Sequence, residues 1–243
     1  MRARRVHALL MGGQACVFYG AAEFSRDTDF AILADPANLA RLRKALDDLK
    51  AEPIAVPPFE LKYLRKGHAV HFRCRHPDAL RLRVDVMSKM RGVAPFARLW
   101  QRRTTIKLAD GTLCDLLSLP DLVQAKKTQR DKDWPMLRRL VEAHWFQNQA
   151  QPTPMQIRFW FRELRTPQLL VELAGRYPAV CKRETRQRTL LYHAQTSALP
   201  KLERALAAEE AAERACDRHY WMPLHRELER LRHATSGCRH GLR

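Results

Sequence analysis

No uninterrupted apolar run in the sequence approaches the roughly 20 residues that a membrane-spanning helix needs, which excludes helical insertion into a bilayer. The six cysteines form no Cys-x-x-Cys pair, so neither a zinc ribbon nor a thioredoxin-like motif is present. A disulfide scaffold does not suit a chain of 243 residues, and a reduced, cytoplasmic protein is expected. P-loop, dinucleotide-binding fingerprint, Gly-x-Ser-x-Gly and His-Glu-x-x-His patterns are all missing, which removes the commonest NTPase, dehydrogenase, serine-hydrolase and zinc-protease readings. Acidic residues are few: 26 against 44 Lys plus Arg, a net charge of +18. Arg2, Arg4 and Arg5 followed by an apolar stretch resemble a secretion signal, but Gly12-Gly13-Gln14 interrupts that stretch, and it reads as part of the fold.

What remains is 46% hydrophobic and 29% charged, the composition of a folded chain with a sizeable core. The positive charge is dispersed, with 27 basic and 16 acidic residues in 1–150 and 17 against 10 in 151–243. A polyanion such as a nucleic acid or a nucleotide is the partner class such a surface attracts. Arginine outnumbers lysine 33 to 11, however, so compositional bias alone accounts for part of the excess.

Ala8 to Met11 is a short apolar run ended by Gly12-Gly13, a strand and a tight turn, with a short helix over 14–19. Residues 27–33 read as a second strand. Asp35-Pro36 then caps an amphipathic helix carrying Leu39, Leu42, Leu46 and Leu49. Pro53, Pro57 and Pro58 break the chain, and 60–75 and 80–87 read as strand-rich. Thr104–Leu108 and Thr112–Leu116 flank Asp110-Gly111 as a hairpin. From Ser118, where a capping box opens, the pattern is helical, and Pro152-Thr153-Pro154 marks the expected boundary between domains 1–150 and 151–243. The expected class is α+β: a small mixed sheet with flanking helices, followed by a basic helical region.

Alternation along a strand puts Asp27 and Asp29 on one face, about 6–7 Å apart, while Thr28, Phe30 and Ile32 face the core. The same alternation over 80–87 sends Leu82, Val84 and Val86 inward and puts Arg81, Arg83 and Asp85 together on the outer face. If the two strands are neighbours, Asp85 is a third carboxylate beside the pair. Carboxylate oxygens so placed suit hard cations. His68, His71 and His76, scattered through a strand-like region, read as structural or surface groups.

Gly12-Gly13, thirteen further residues, Asp27-Thr28-Asp29-Phe30 and a later strand aspartate resemble the nucleotidyltransferases of the DNA polymerase β superfamily. Within it the nearest branch is the minimal bacterial type, which includes the AbiE-type toxins, and the resemblance runs over about residues 8–140. It implies two Mg²⁺ or Mn²⁺ ions held by Asp27, Asp29 and Asp85, and a nucleoside triphosphate as substrate. It further implies that nucleotide contacts come from Gly12, Gly13, Ser25 and a helix-borne lysine, for which Asp121-Leu122-Val123-Gln124-Ala125-Lys126 supplies Lys126, favoured over the neighbouring Lys127. Where the motif often has Ser after the first glycine, Gly13 and Gln14 stand here, so a side-chain hydroxyl contact is either lost or moved to Ser25. An acceptor hydroxyl on RNA or tRNA is favoured; a protein, a small molecule such as an aminoglycoside, or a non-catalytic nucleic-acid-binding role are the alternatives. An antitoxin partner follows from the toxin branch alone.

Arg158, Arg162 and Arg165 are spaced i, i+4 and i+7 among aromatics, the pattern of one basic helix face able to contact an RNA acceptor. An ordinary amphipathic helix with Ile157, Trp160, Phe161 and Leu164 in a core is the preferred reading over direct base recognition, and it leaves the arginines able to contact phosphate.

Overall fold

The computed structural model describes residues 1–240, with side chains through residue 234. The chain forms an α+β fold around one mixed sheet of seven strands. In chain order the first elements are β1 (Ala8–Met11), α1 (Gly12–Phe18), β2 (Asp27–Ile32), α2 (Pro36–Asp48), β3 (Glu52–Pro53), α3 (Leu61–Lys66) and β4 (Val70–Arg73). Then follow β5 (Arg83–Met87), α4 (Phe96–Arg102), β6 (Thr104–Lys107), β7 (Leu113–Leu116) and α5 (Leu119–Ala125). The remainder is helical: α6 (Asp133–Asn148), α7 (Pro154–Glu163), α8 (Pro167–Arg176), α9 (Pro178–Glu184), α10 (Leu191–Gln195) and α11 (Leu199–His240). Among the described residues no helix is long and apolar enough to cross a membrane.

Two compact units result, and their limits differ from the expected break at residue 150. The first holds Met1–Phe18, Ala22–Ala125 and the chain from His219 onward; the second holds Tyr19–Ala21 and Lys126–Arg218. Pro152-Thr153-Pro154 is not a boundary but a helix start. Thr153 accepts from the Gln156 N–H, Gln156 bonds back to Thr153, and Pro154 occupies the first turn, where a missing N–H costs nothing.

In the first unit the strand order is β3-β4-β5-β2-β1-β7-β6. β2 runs parallel to β5 and antiparallel to β1, so one antiparallel neighbour and one crossover partner flank it. One sheet face packs on α2, whose Leu39, Leu42 and Leu46 lie at helical spacing against Ile32, Phe72, Val84 and Val86. Asp35 caps α2 by accepting the Asn38 N–H at 2.7 Å. Asn38 is fully buried; its amide donates to the carbonyls of His7 and Leu33 and accepts the His7 N–H, which ties the first turn of α2 to the ends of β1 and β2. The Thr104–Leu116 hairpin forms as expected. Residues 60–75 do not form a continuous strand region, because Leu61–Lys66 coils into α3 and ends at Gly67, φ +113°.

The second unit is built on aromatic packing. Trp145 and Trp160 meet edge-on with centroids 4.7 Å apart, and Leu137, Leu140, Phe161, Leu170 and Leu173 are fully buried in the same unit.

Candidate active site on the polar face of the sheet

β2 and β5 run in a register that pairs Asp27 with Arg83 and Asp29 with Asp85. Residues opposite one another in neighbouring strands project to the same side, so these four form a rectangle: about 4.8 Å across strands and 6–7 Å along them. β4 extends it on the far side of β5, with His71 opposite Asp85 and Arg73 opposite Arg83. The alternate residues Val70, Phe72, Val84 and Val86 are buried on the other face. The pleat thus forces three acids, two arginines and a histidine into one polar patch.

Gly12 and Gly13, which open α1 directly after β1, close against this patch. Gly12 has φ +67°, and a Cβ there would lie 1.9 Å from Asp29 Oδ2. A Cβ on Gly13 would lie 2.3 Å from Ser25 Oγ. Both positions are held to glycine by close approach, and Gly12 by its backbone angle as well. Ser25 is fixed in turn: its hydroxyl donates to the Asp27 carbonyl at 3.2 Å, and Gln14 Nε2 donates to the Ser25 carbonyl at 2.8 Å. Gly12, Gly13, Ser25, Asp27, Asp29 and Asp85 are therefore brought together, as the sequence pattern anticipates.

Asp85 is largely enclosed, its side chain 13% exposed. Arg83 Nε donates to its Oδ1 at 2.9 Å, and His71 Nδ1 lies 2.9 Å from the same oxygen. Burial pushes the Asp85 pKa up, but hydrogen bonds from His71 and Arg83 outweigh it and hold the carboxyl below its ordinary value. Arg83 is held more firmly protonated than usual, chiefly by its bond to Asp85 and further by the charges of Asp85, Asp27 and Asp29. Arg83 Nη2 also lies 3.1 Å from His71 Nδ1. That nitrogen either donates to Asp85 or accepts from Arg83, depending on the imidazole tautomer, and cannot do both.

Three carboxylates are the donor chemistry of a hard divalent cation. Even so, among the described residues no three His, Cys, Asp or Glu side chains are grouped to hold a metal ion. At Asp85, Arg83 and His71 already converge on Oδ1.

The other expected contributors are placed elsewhere. Arg81 does not share the face of Arg83: β5 starts at Arg83, and Arg81 sits in the preceding turn with φ +66°, its N–H bonded to the Cys74 carbonyl. Lys126 follows the end of α5 and belongs to the second unit, where it is buried and donates to Asp133 at 3.1 Å. Asp133 also accepts from Thr128 and Arg130, so this ammonium is committed to an internal ion pair. Asp121 is bonded by Arg102 and by the Ser118 hydroxyl, the capping box written in the sequence.

The three-arginine helix face is also not formed. Arg158 is exposed, and Arg162 pairs with Glu184 at 2.8 Å. α7 ends at Glu163, and Arg165 beyond it is buried beside Glu209 at 3.0 Å and over the Trp134 ring at 4.7 Å. Burial lowers the Arg165 pKa against the pull of Glu209. A cavity of about 480 Å³ in the second unit, lined by Trp134, Arg138, Arg139, Arg214 and Glu210 among others, contains none of the expected site residues.

His71 and Arg73 are the members sequence reasoning passed over. Their alternation with Phe72 is visible in the sequence, but their position beside Asp85 and Arg83 depends on strand register, which no local pattern encodes. No family model matches the chain, and no curated protein matches it.

Proposed function

We propose that the chain is a metal-dependent nucleotidyltransferase, moving a nucleoside monophosphate from a nucleoside triphosphate to an acceptor hydroxyl, with RNA as the acceptor class. The observation that carries this reading is the closure of the glycine turn on the aspartates. Gly12 approaches Asp29 so closely that no side chain fits, while Asp85 stands opposite Asp29 in register. That juxtaposition gives purpose to the resemblance over residues 8–140.

Asp27, Asp29 and Asp85 would hold Mg²⁺ or Mn²⁺, which when bound supplies charge neutralisation at the triphosphate and activation of the hydroxyl. The chain's own groups account for the rest. Backbone around Gly12 and Gly13, bare of side chains, lets phosphate oxygens approach amide N–H groups, with the Ser25 hydroxyl beside them. Arg73 and Arg83 offset phosphate charge from the adjoining strand positions. Asp85, held ionised, orients the acceptor hydroxyl and receives its proton as the acceptor oxygen bonds the α-phosphorus and pyrophosphate leaves. The dispersed +18 charge supports a polyanionic acceptor. The five described cysteines are free thiols, which supports a cytoplasmic setting. An antitoxin partner rests on the toxin-branch resemblance.

The test is incubation with each α-³²P-labelled nucleoside triphosphate, Mg²⁺ and total RNA. Label on RNA, abolished by Asp29→Asn, supports the reading. Label only on protein or on an added aminoglycoside replaces the acceptor class, and no transfer to any acceptor removes the activity.

A further inference from the structure

We propose that Arg83 is the site's resident counter-cation: it competes with a divalent ion for Asp85, and once displaced it becomes a ligand of the triphosphate. This rests on the nucleotidyltransferase reading and assigns a role that the three-aspartate pattern does not contain.

Four observations support it. Arg83 stands at a corner of the rectangle whose other corners are Asp27, Asp29 and Asp85, so one guanidinium faces three carboxylates. Its Nε donates to Asp85 Oδ1, and with the proton on Nδ1 His71 donates to the same oxygen, which then has little lone-pair capacity for a third partner. A metal ion that takes Oδ1 must therefore expel one of them. Arg83 is the candidate with more room to leave, being 37% exposed against 27% for His71 and carried on a long side chain. Finally, Arg73 lies opposite Arg83 on β4 and is exposed, so an expelled guanidinium stays next to a second one. Two neighbouring guanidiniums repel until an anion lies between them, and a triphosphate is such an anion.

The order of binding follows. Without nucleotide, the cluster carries its own positive charge, and cation affinity is weak. With nucleotide, phosphate oxygens draw Arg83 off Asp85 and free the carboxylate, so metal and triphosphate bind with positive coupling. The coupling is reciprocal.

The measurement is Mn²⁺ binding by electron paramagnetic resonance on the full chain, with and without an α,β-methylene nucleoside triphosphate. In its absence Arg83→Gln should bind Mn²⁺ at least about fivefold tighter than the unaltered protein, the lower range of typical coupling. Adding Asp85→Asn should erase the gain. At saturating Mn²⁺ the same Arg83→Gln should bind the analogue about fivefold or more weakly. Arg83→Lys keeps the charge but loses the guanidinium fork, and should leave Mn²⁺ affinity near that of the unaltered protein while still weakening the analogue. It also serves if the Gln variant fails to fold. Mn²⁺ affinity unchanged or weaker in Arg83→Gln would overturn the proposal; with nucleotide transfer intact in the unaltered protein, the enzyme reading would survive alone. Absence of both Mn²⁺ binding and transfer in the unaltered protein would remove both.

Discussion

Gly12 and Gly13 leave no room for a methyl group, and they fail in different ways. Gly12→Ala meets both a left-handed backbone angle, costing about 1–2 kcal/mol, and the Asp29 carboxylate 1.9 Å away. Loss of measurable transfer and a lowered Tm are expected. Gly13→Ala meets only the Ser25 side chain, so Ser25→Gly should restore much of its Tm while Ser25→Gly alone costs little; a thermal double-mutant cycle checks this. Asp133 makes a pH-dependent contribution. Burial raises its pKa, but Lys126, Thr128 and Arg130 outweigh this and lower it, so the stabilisation is present above the ordinary carboxylate value near about 4. It is lost as pH falls through the depressed native value. Asp133→Asn strands the buried Lys126 and should cost about 3–5 kcal/mol at neutral pH. The deficit should shrink as the native carboxyl takes up its proton, which urea unfolding at a series of pH values would show.

Elements that declare themselves locally are legible in the sequence. α2 is one: an aspartate cap, a proline in the first turn and leucines at helical spacing are local signals, and Leu42 sits fully buried where that spacing directs it. Leu42→Ala should cost about 2–5 kcal/mol by the transfer and cavity terms together, read by denaturant unfolding. The β6–β7 hairpin is legible for the same reason, whereas the expected turn at Gly12-Gly13 is absorbed into the start of α1. α3 is not: Tyr63, Leu64 and Val70 read as strand residues, and only the left-handed Gly67 separates helix from strand. In the candidate site, the alternation within β2 shows the aspartate pair. The membership of His71 and Arg73, and the departure of Arg81, depend on register and on one turn residue. Arg165 illustrates the other limit. Helical spacing puts it on a basic face, but the helix stops two residues earlier and tertiary packing buries it. Arg165→Ala should therefore lower Tm, whereas exposed Arg158→Ala should leave Tm unchanged and weaken RNA retention, measured by filter binding at low salt.

On the scale of the whole molecule the charge is only partly at liberty. In the second unit, Asp133, Glu163, Glu184 and Glu209 each hold at least one cation, and Arg165 and Arg188 share Glu209. Net charge therefore overstates the number of phosphate contacts. The binding of RNA should still fall steeply with salt, though with a slope set by the unpaired arginines. The final helix has a different kind of consequence. The sheet unit recruits the chain from His219 onward, where Leu224 is buried and Glu227 bonds both Lys66 and His68. On the ribosome, Lys66 and His68 emerge early and must wait for Glu227 until the whole second unit has been translated. A window for chaperone capture is thus written into the order of synthesis, and it closes only with the last helix.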